Sequence, residues 1–163
     1  MLSFLPEMLF DKLTDIRPRD LRARKLLLLD FDNTMLPYTT DVPTQALLDW
    51  LAEMQAAGIT PCVVSNSRKP RVPRFCQTHQ LACVTHAGKP GTRGIREALR
   101  RFDAGPADAA LVGDQIFTDV LGANLAGVAA IHVRSIHNHT VWLKLRHVFE
   151  VPFLKLAERR RIS

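Results

Sequence analysis

Leu26-Leu27-Leu28-Leu29-Asp30-Phe31-Asp32-Asn33-Thr34 is the stretch around which the rest of the chain is organised. Four consecutive leucines after a basic segment read as a short strand buried on both faces. That strand ends by presenting two carboxylates two residues apart. With a side-chain period of two, Asp30 and Asp32 lean to the same side wherever the backbone stays extended. Like charges that close repel unless a cation or a shared proton relieves them. A divalent metal at the carboxyl end of a central strand is the economical explanation. The plainer alternative is a strand exit with two solvated acids.

Working outward, strands and helices alternate. Residues 37–43 form a short, turn-rich insertion. Helix is predicted over residues 44–57, with Leu47, Leu48, Leu51 and Met54 on one stripe and Gly58 as the stop. Residues 59–64 form the next buried strand, which ends in Ser65-Asn66-Ser67. A helix with Val72, Phe75 and Cys76 inward reaches Gln80, and residues 81–85 are a short strand. Lys89-Pro90-Gly91 opens a third helix containing Ile95, Ala98, Leu99 and Phe102. A strand over residues 109–112 ends at Gly113-Asp114; a helix over 118–126 stops at Gly127, and 128–133 is the last strand. The pattern predicts an α/β fold, a Rossmann-like, doubly wound parallel sheet with helices on both faces. Chemistry in such sheets lies beyond the carboxyl ends of the strands, where Asp30, Ser65 and Asp114 all stand.

Two flanking segments enclose this core of residues 25–135. In residues 1–24, Leu2, Leu5, Met8, Leu9, Leu13 and Ile16 fall near helical spacing, which predicts an amphipathic helix ended by Pro18 and a basic connector after it. That helix either packs on the domain or lies on a membrane surface. Residues 136–163 interleave Val141, Trp142, Leu143, Leu145, Val148 and Phe149 with Lys144, Arg146, Lys155 and Arg159-Arg160-Arg161. The tail either holds the site at an anionic membrane or packs its apolar face on the sheet.

The bulk numbers suit one domain: 163 residues, 47% hydrophobic and 23% charged. The formal charge of +6 is uneven. Residues 26–131 carry nine Lys/Arg against ten Asp/Glu, residues 1–25 six against four, and residues 132–163 seven against two. The basic excess therefore belongs to the ends, which argues against nucleic acid as the partner of the body. Cys62, Cys76 and Cys83 have no metal-ligand spacing and read as buried thiols of a reducing compartment. His132, His137, His139 and His147 fit no common zinc motif and read as scattered. Neither a signal peptide nor a membrane span is expected, which points to the cytoplasm, either free or, where the terminal segments meet a membrane, peripheral on its inner face.

Asp30-Phe31-Asp32-Asn33-Thr34 resembles the Asp-x-Asp-x-Thr motif of the haloacid-dehalogenase (HAD) superfamily. The resemblance makes Asp30 the phosphoryl-accepting nucleophile and Asp32 the general acid/base of a phosphatase. It assigns Mg²⁺ to Asp30, to Asp32 through its carbonyl, and to Asp114, with Asp119 either a ligand or an orienting neighbour. Ser65 matches the hydroxyl residue of the second motif and Lys89 the lysine of the third. Thr34, Asn66 and Arg68 fall to substrate binding or support of the turn. The short gaps after Asp32 and after Ser65 resemble the capless subclass, so no cap domain is expected.

Across nearly the whole chain, Val63-Val64-Ser65-Asn66, Lys89-Pro90 and Gly113-Asp114-Gln115 with Thr118-Asp119-Val120-Leu121-Gly122-Ala123-Asn124 are similar to the YqeG-type family. That family's mitochondrial relatives dephosphorylate phosphatidylglycerophosphate, which implies a lipid-headgroup substrate. Ser67 departs from the family's frequent Asn. Two alternatives stand beside this one: a capless phosphatase for a soluble sugar phosphate or nucleotide, and a basic module binding RNA or the ribosome.

Overall fold

The computed structural model describes residues 3–136 and Val151. In chain order the elements are β1 (Met8–Phe10), β2 (Leu26–Leu29), α1 (Gln45–Ala56), β3 (Thr60–Val64), α2 (Arg71–Thr78), β4 (Ala82–Val84), α3 (Arg93–Arg101), β5 (Ala109–Gly113), α4 (Leu121–Ala126) and β6 (Ala129–Val133). All six strands are parallel, in the order β1-β6-β5-β2-β3-β4. This is the predicted α/β sheet. Apart from Ile136 and Val151, the tail lies outside the described residues.

Both faces of the sheet are covered, and the leucine run shows how. Leu27 and Leu29 join one core with Leu47, Trp50, Leu51 and Met54 of α1 and Val72, Phe75 and Cys76 of α2. Leu26 and Leu28 join the other, with Ile95 and Leu99 of α3 and Ala123 of α4. Leu27, Leu28 and Leu29 are completely buried. Each such leucine stabilises the fold by about 1.5–3 kcal/mol relative to an exposed one. α1 starts where Thr44 accepts the Leu47 N–H on its side chain, a capping bond of the expected kind.

The chain runs from β2 out to β3 and β4, then crosses back to lay β5 on the other side of β2. β2 and β5 therefore flank the switch in direction, where their carboxyl ends diverge and leave a crevice. Asp30 follows β2 and Asp114 follows β5. The Asp30 N–H donates to the Val112 carbonyl at 2.9 Å, so pairing continues one residue beyond β2.

The N-terminal helix is not formed. Residues 8–10 instead make β1, a sheet edge in register with β6 (Met8 opposite Ile131, Phe10 opposite Val133). Two short 3₁₀ turns follow, Leu13–Asp15 and Pro18–Leu21. The Asp15 carboxylate takes the Lys12 N–H and the Asp20 carboxylate takes the Arg17 N–H, each closing a tight turn where a helix would have to continue. Pro18 opens the second turn instead of ending a helix. The apolar side chains still face the body: Leu13, Ile16 and Leu21 are buried, and the Trp50 indole N–H donates to the Ile16 carbonyl at 2.8 Å. Among the described residues no helix is long and apolar enough to cross a membrane.

Gly113 ends β5 where Asp119 folds back onto it. A Cβ there would lie 2.3 Å from the Asp119 carboxylate, which is buried and cannot retreat. Gly113→Ala is expected to cost about 2–4 kcal/mol in urea unfolding. Gly105→Ala, with its nearest contact at 3.1 Å from a movable Asp108 oxygen, is expected to cost less than about 1 kcal/mol.

Candidate active site

Lys89 is the centre of the crevice. It follows β4, and its ammonium lies 2.7 Å from Asp30 Oδ1 and 2.6 Å from Asp119 Oδ1, all three groups buried. Asn66 fixes its backbone on both sides: the side-chain amide donates to the Lys89 carbonyl and accepts the Lys89 N–H, both at 2.8 Å. Asp119 comes from a π-helical turn, Ile116–Val120, between β5 and α4. The wide turn brings its carboxylate back to accept the Gln115 N–H at 3.1 Å. Thr34 donates to Asp114 Oδ1 at 3.2 Å and lies 3.5 Å from Asp30 Oδ2.

Ligand oxygens of Asp30, Asp114 and Asp119 lie within 4.8 Å of one another. One lysine does not balance three buried acids. Burial pushes Asp30 up to about 6 against the pull of Lys89. Asp114 rises to about 8, through burial and then the charges of Asp119 and Asp30. Burial pulls the Lys89 pKa down; Asp119 and Asp30 more than reverse that, and the ammonium stays charged above the usual lysine range. An all-oxygen set with unrelieved negative charge suits a hard divalent cation such as Mg²⁺. The residues fit a metal, and Asp114, which has no cationic partner among the described ion pairs, is where its charge is most needed. Behind it, His132 Nε2 donates to the Asp114 carbonyl at 3.2 Å. His132 is thus buried against the site, not scattered on the surface.

Asp32 faces the same crevice from its outer side. Asn33 takes a left-handed backbone (φ 62°), its N–H donates to the Leu36 carbonyl, and the chain doubles back. Phe31 is buried edge-on against Phe75, 5.2 Å between ring centres. Asp32 accepts from Arg71 Nη1 at 2.9 Å and shares none of the three-acid cluster. Burial still lifts its pKa above the ordinary carboxylate value, against the opposing pull of Arg71.

Arg71 was not singled out by the sequence, which marked only its neighbours Val72, Phe75 and Cys76. Its guanidinium also donates to the carbonyls of Tyr38 and Pro37 at 3.0 Å each, to the Thr40 carbonyl, and lies 2.7 Å from Asp41. One side chain thus ties residues 37–41 to Asp32. The only available signal was its place at the start of a helix beside the site.

The other candidates divide. Ser65 is buried at the end of β3, its hydroxyl accepting the Ser67 N–H at 3.1 Å. Asn66 spends its amide on Lys89. Arg68 is exposed and joins none of these contacts.

The HAD-hydrolase-like family model matches residues 86–146. A protein of Bacillus subtilis named probable phosphatase YqeG is 32% identical over 132 residues, 80% of this chain and 77% of that protein. The chain belongs to the HAD-like hydrolases, among their phosphatases. A phosphoserine phosphatase of Thermus thermophilus is 52% identical over 93 residues, 52% of this chain but 37% of that protein. The cobalt-bound deoxy-D-mannose-octulosonate 8-phosphate phosphatase of Haemophilus influenzae superposes with a TM-score of 0.54 over 77% of this chain and 76% of that one. At 14% identity this is a likeness of fold. Within the HAD frame, the connections after β2 and β3 span residues 30–44 and 65–70, and neither holds an inserted domain.

Two outcomes follow from this geometry. Asp30 and Asp114 keep protons in the metal-free folded chain to about 6 and about 8, whereas the unfolded chain releases them near ~4. A raised carboxylate stabilises the folded state below the unfolded value, and the contribution is lost as pH rises through the folded one. The Tm of the metal-free protein should fall from about pH 5 to about pH 8, with added Mg²⁺ raising it more at the higher pH. Asp114→Asn should raise the metal-free Tm at the upper end by roughly 5 °C and abolish the response to Mg²⁺. In steady-state kinetics, Arg71→Ala should lower kcat about 10- to 100-fold. Arg71→Lys should recover only part, because an ammonium cannot hold Asp32 and the loop carbonyls in one plane.

Proposed function

We propose that this chain is a Mg²⁺-dependent phosphomonoesterase working through an aspartyl-phosphate, with phosphatidylglycerophosphate as substrate. The observation that carries the chemistry is the division of labour between two acids of one loop. Asp30 is held on Lys89 at 2.7 Å, aligned as a nucleophile. Asp32 stands apart on Arg71 with its pKa raised, as a proton carrier needs.

An Asp30 oxygen forms a bond to phosphorus while the bond from phosphorus to the ester oxygen breaks. Asp32 gives its proton to that leaving oxygen. It then takes a proton from the water that attacks the aspartyl-phosphate, and the Asp30–phosphorus bond breaks to release inorganic phosphate. Lys89 offsets charge on the nucleophile and the phosphoryl oxygens, and the Ser65 hydroxyl donates to one of those oxygens. Mg²⁺ bound by Asp30, Asp114, Asp119 and the Asp32 carbonyl would supply Lewis-acid neutralisation of the phosphoryl charge. Thr34 supports the acids, and Arg68 stands ready for the rest of the substrate.

The lipid headgroup is supported by the YqeG-type motifs, the relative at 32% identity and the uncapped mouth. An open site suits a substrate whose own body or membrane excludes water. In this reading the basic tail holds the enzyme at the inner, cytoplasmic face of an anionic membrane. A soluble phosphate ester is the second reading, favoured by the phosphatase named for phosphoserine. The near-neutral body and acid-lined crevice weigh against an RNA-binding module.

Phosphate release from phosphatidylglycerophosphate in vesicles, with and without Mg²⁺, tests the proposal beside a panel of soluble esters. Mg²⁺-dependent release from the lipid, lowered at least about 1,000-fold by Asp30→Asn, is expected. Release from a soluble ester alone would discard the lipid.

A further inference from the structure

Four large hydrophobic side chains are exposed among the described residues: Tyr38 at 52%, Val42 at 74%, Leu125 at 43% and Ile136 at 41%. Leu125 lies on α4. The other three gather at the mouth of the crevice, although they come from two distant stretches of chain. The Tyr38 N–H donates to the Asn33 side chain at 3.3 Å, and the Ile136 N–H donates to the Asn33 carbonyl at 2.9 Å. Both therefore hang on the residue next to Asp32. Val42 follows Asp41, which Arg71 holds beside the same acid.

Cations accompany them. Lys69 lies over the Tyr38 ring, 4.0 Å from its centre, and donates to its hydroxyl. Arg68 is exposed one residue away, and exposed Arg93 donates to the carbonyl of His86, three residues before Lys89. Among the described ion pairs none gives Arg68, Lys69 or Arg93 a carboxylate partner. Isolated apolar residues on a surface need no explanation. Three bordering one opening, with nearby cations that have no carboxylate partner among the described ion pairs, match a surface that offers hydrocarbon below a layer of negative charge. A small acidic protein would satisfy the cations and leave Val42 and Ile136 without a partner chemistry.

We propose that the rim of the mouth is a docking face for an anionic lipid bilayer. Tyr38, Val42 and Ile136 enter the boundary between headgroups and acyl chains, and Arg68, Lys69 and Arg93 pair with headgroup phosphates. This rests on the lipid reading above and adds where the bilayer meets the body. A substrate headgroup would pass from the membrane into the crevice past Asp32 without leaving the lipid surface.

The test uses the full chain and vesicles of equal parts phosphatidylcholine and phosphatidylglycerol, with pure phosphatidylcholine as the neutral control. The Val42→Asp/Ile136→Asp double variant should bind the anionic vesicles about tenfold more weakly than the parent. Its turnover of a soluble ester should be unchanged, since neither residue belongs to the machinery. A polarity-sensitive dye on Val42→Cys, in a Cys83→Ala background because Cys62 and Cys76 are buried, should shift to the blue on anionic vesicles only. Equal binding by the double variant, an unshifted dye, or no binding by the parent would each overturn the docking face. So would a concentration-dependent dimer that the double variant disrupts while vesicles bind nothing. Phosphate release is read separately. Binding that needs the rim without release from phosphatidylglycerophosphate refutes the substrate alone, and release with rim-independent binding refutes the docking face alone.

Discussion

The ammonium of Lys89, buried between Asp30 and Asp119, is the interaction on which the site depends. An uncompensated buried charge is costly, and breaking such a group by removing one partner exposes that cost. Here each member is held by a different part of the fold. Asp30 ends the central strand, Lys89 follows β4 and is clamped by Asn66, and Asp119 is returned by a π turn after β5. The sheet order makes this convergence possible, because β2 and β5 are neighbours whose connections leave in opposite directions. Asp114 is the acid left over: none of the described ion pairs includes it, and burial with the charges of Asp119 and Asp30 raises its pKa.

Asp30 and Asp32 lie two residues apart and live in different surroundings. The inner acid is lined up by an ammonium, while the outer one sits against a guanidinium that also grips the loop of residues 37–41. In the proposed mechanism, nucleophile and proton carrier are thereby separated by environment rather than by residue type. The same guanidinium joins the outer acid to the border of the opening, so the loop that carries Tyr38 and Val42 is anchored at the chemistry.

Much of this was legible in the sequence, because the informative segments are buried on both sides. Leu26 to Leu29 have no polar face to confuse the period, and Asp30, Ser65 and Asp114, at the ends of three strands, stand where a parallel sheet puts its chemistry. Lys89 was legible as a position but not as a partner, since nothing local says which acids it will meet. β1 was misread because three residues are too few to show a period of two, and its pairing with β6 is made about 120 residues away. Arg71 was invisible for a related reason. An arginine at a helix start reads as solvated until a loop from elsewhere in the chain is folded over it.

The central claim is that Asp30 carries the phosphoryl group. Its most direct test is borohydride reduction of enzyme quenched during turnover, which converts an aspartyl-phosphate to homoserine, followed by peptide mass spectrometry. Homoserine is expected at position 30, dependent on substrate and Mg²⁺ and absent when either is left out. Steady turnover with an intact aspartate at position 30, or with the modification at Asp32 or Asp114, would contradict it.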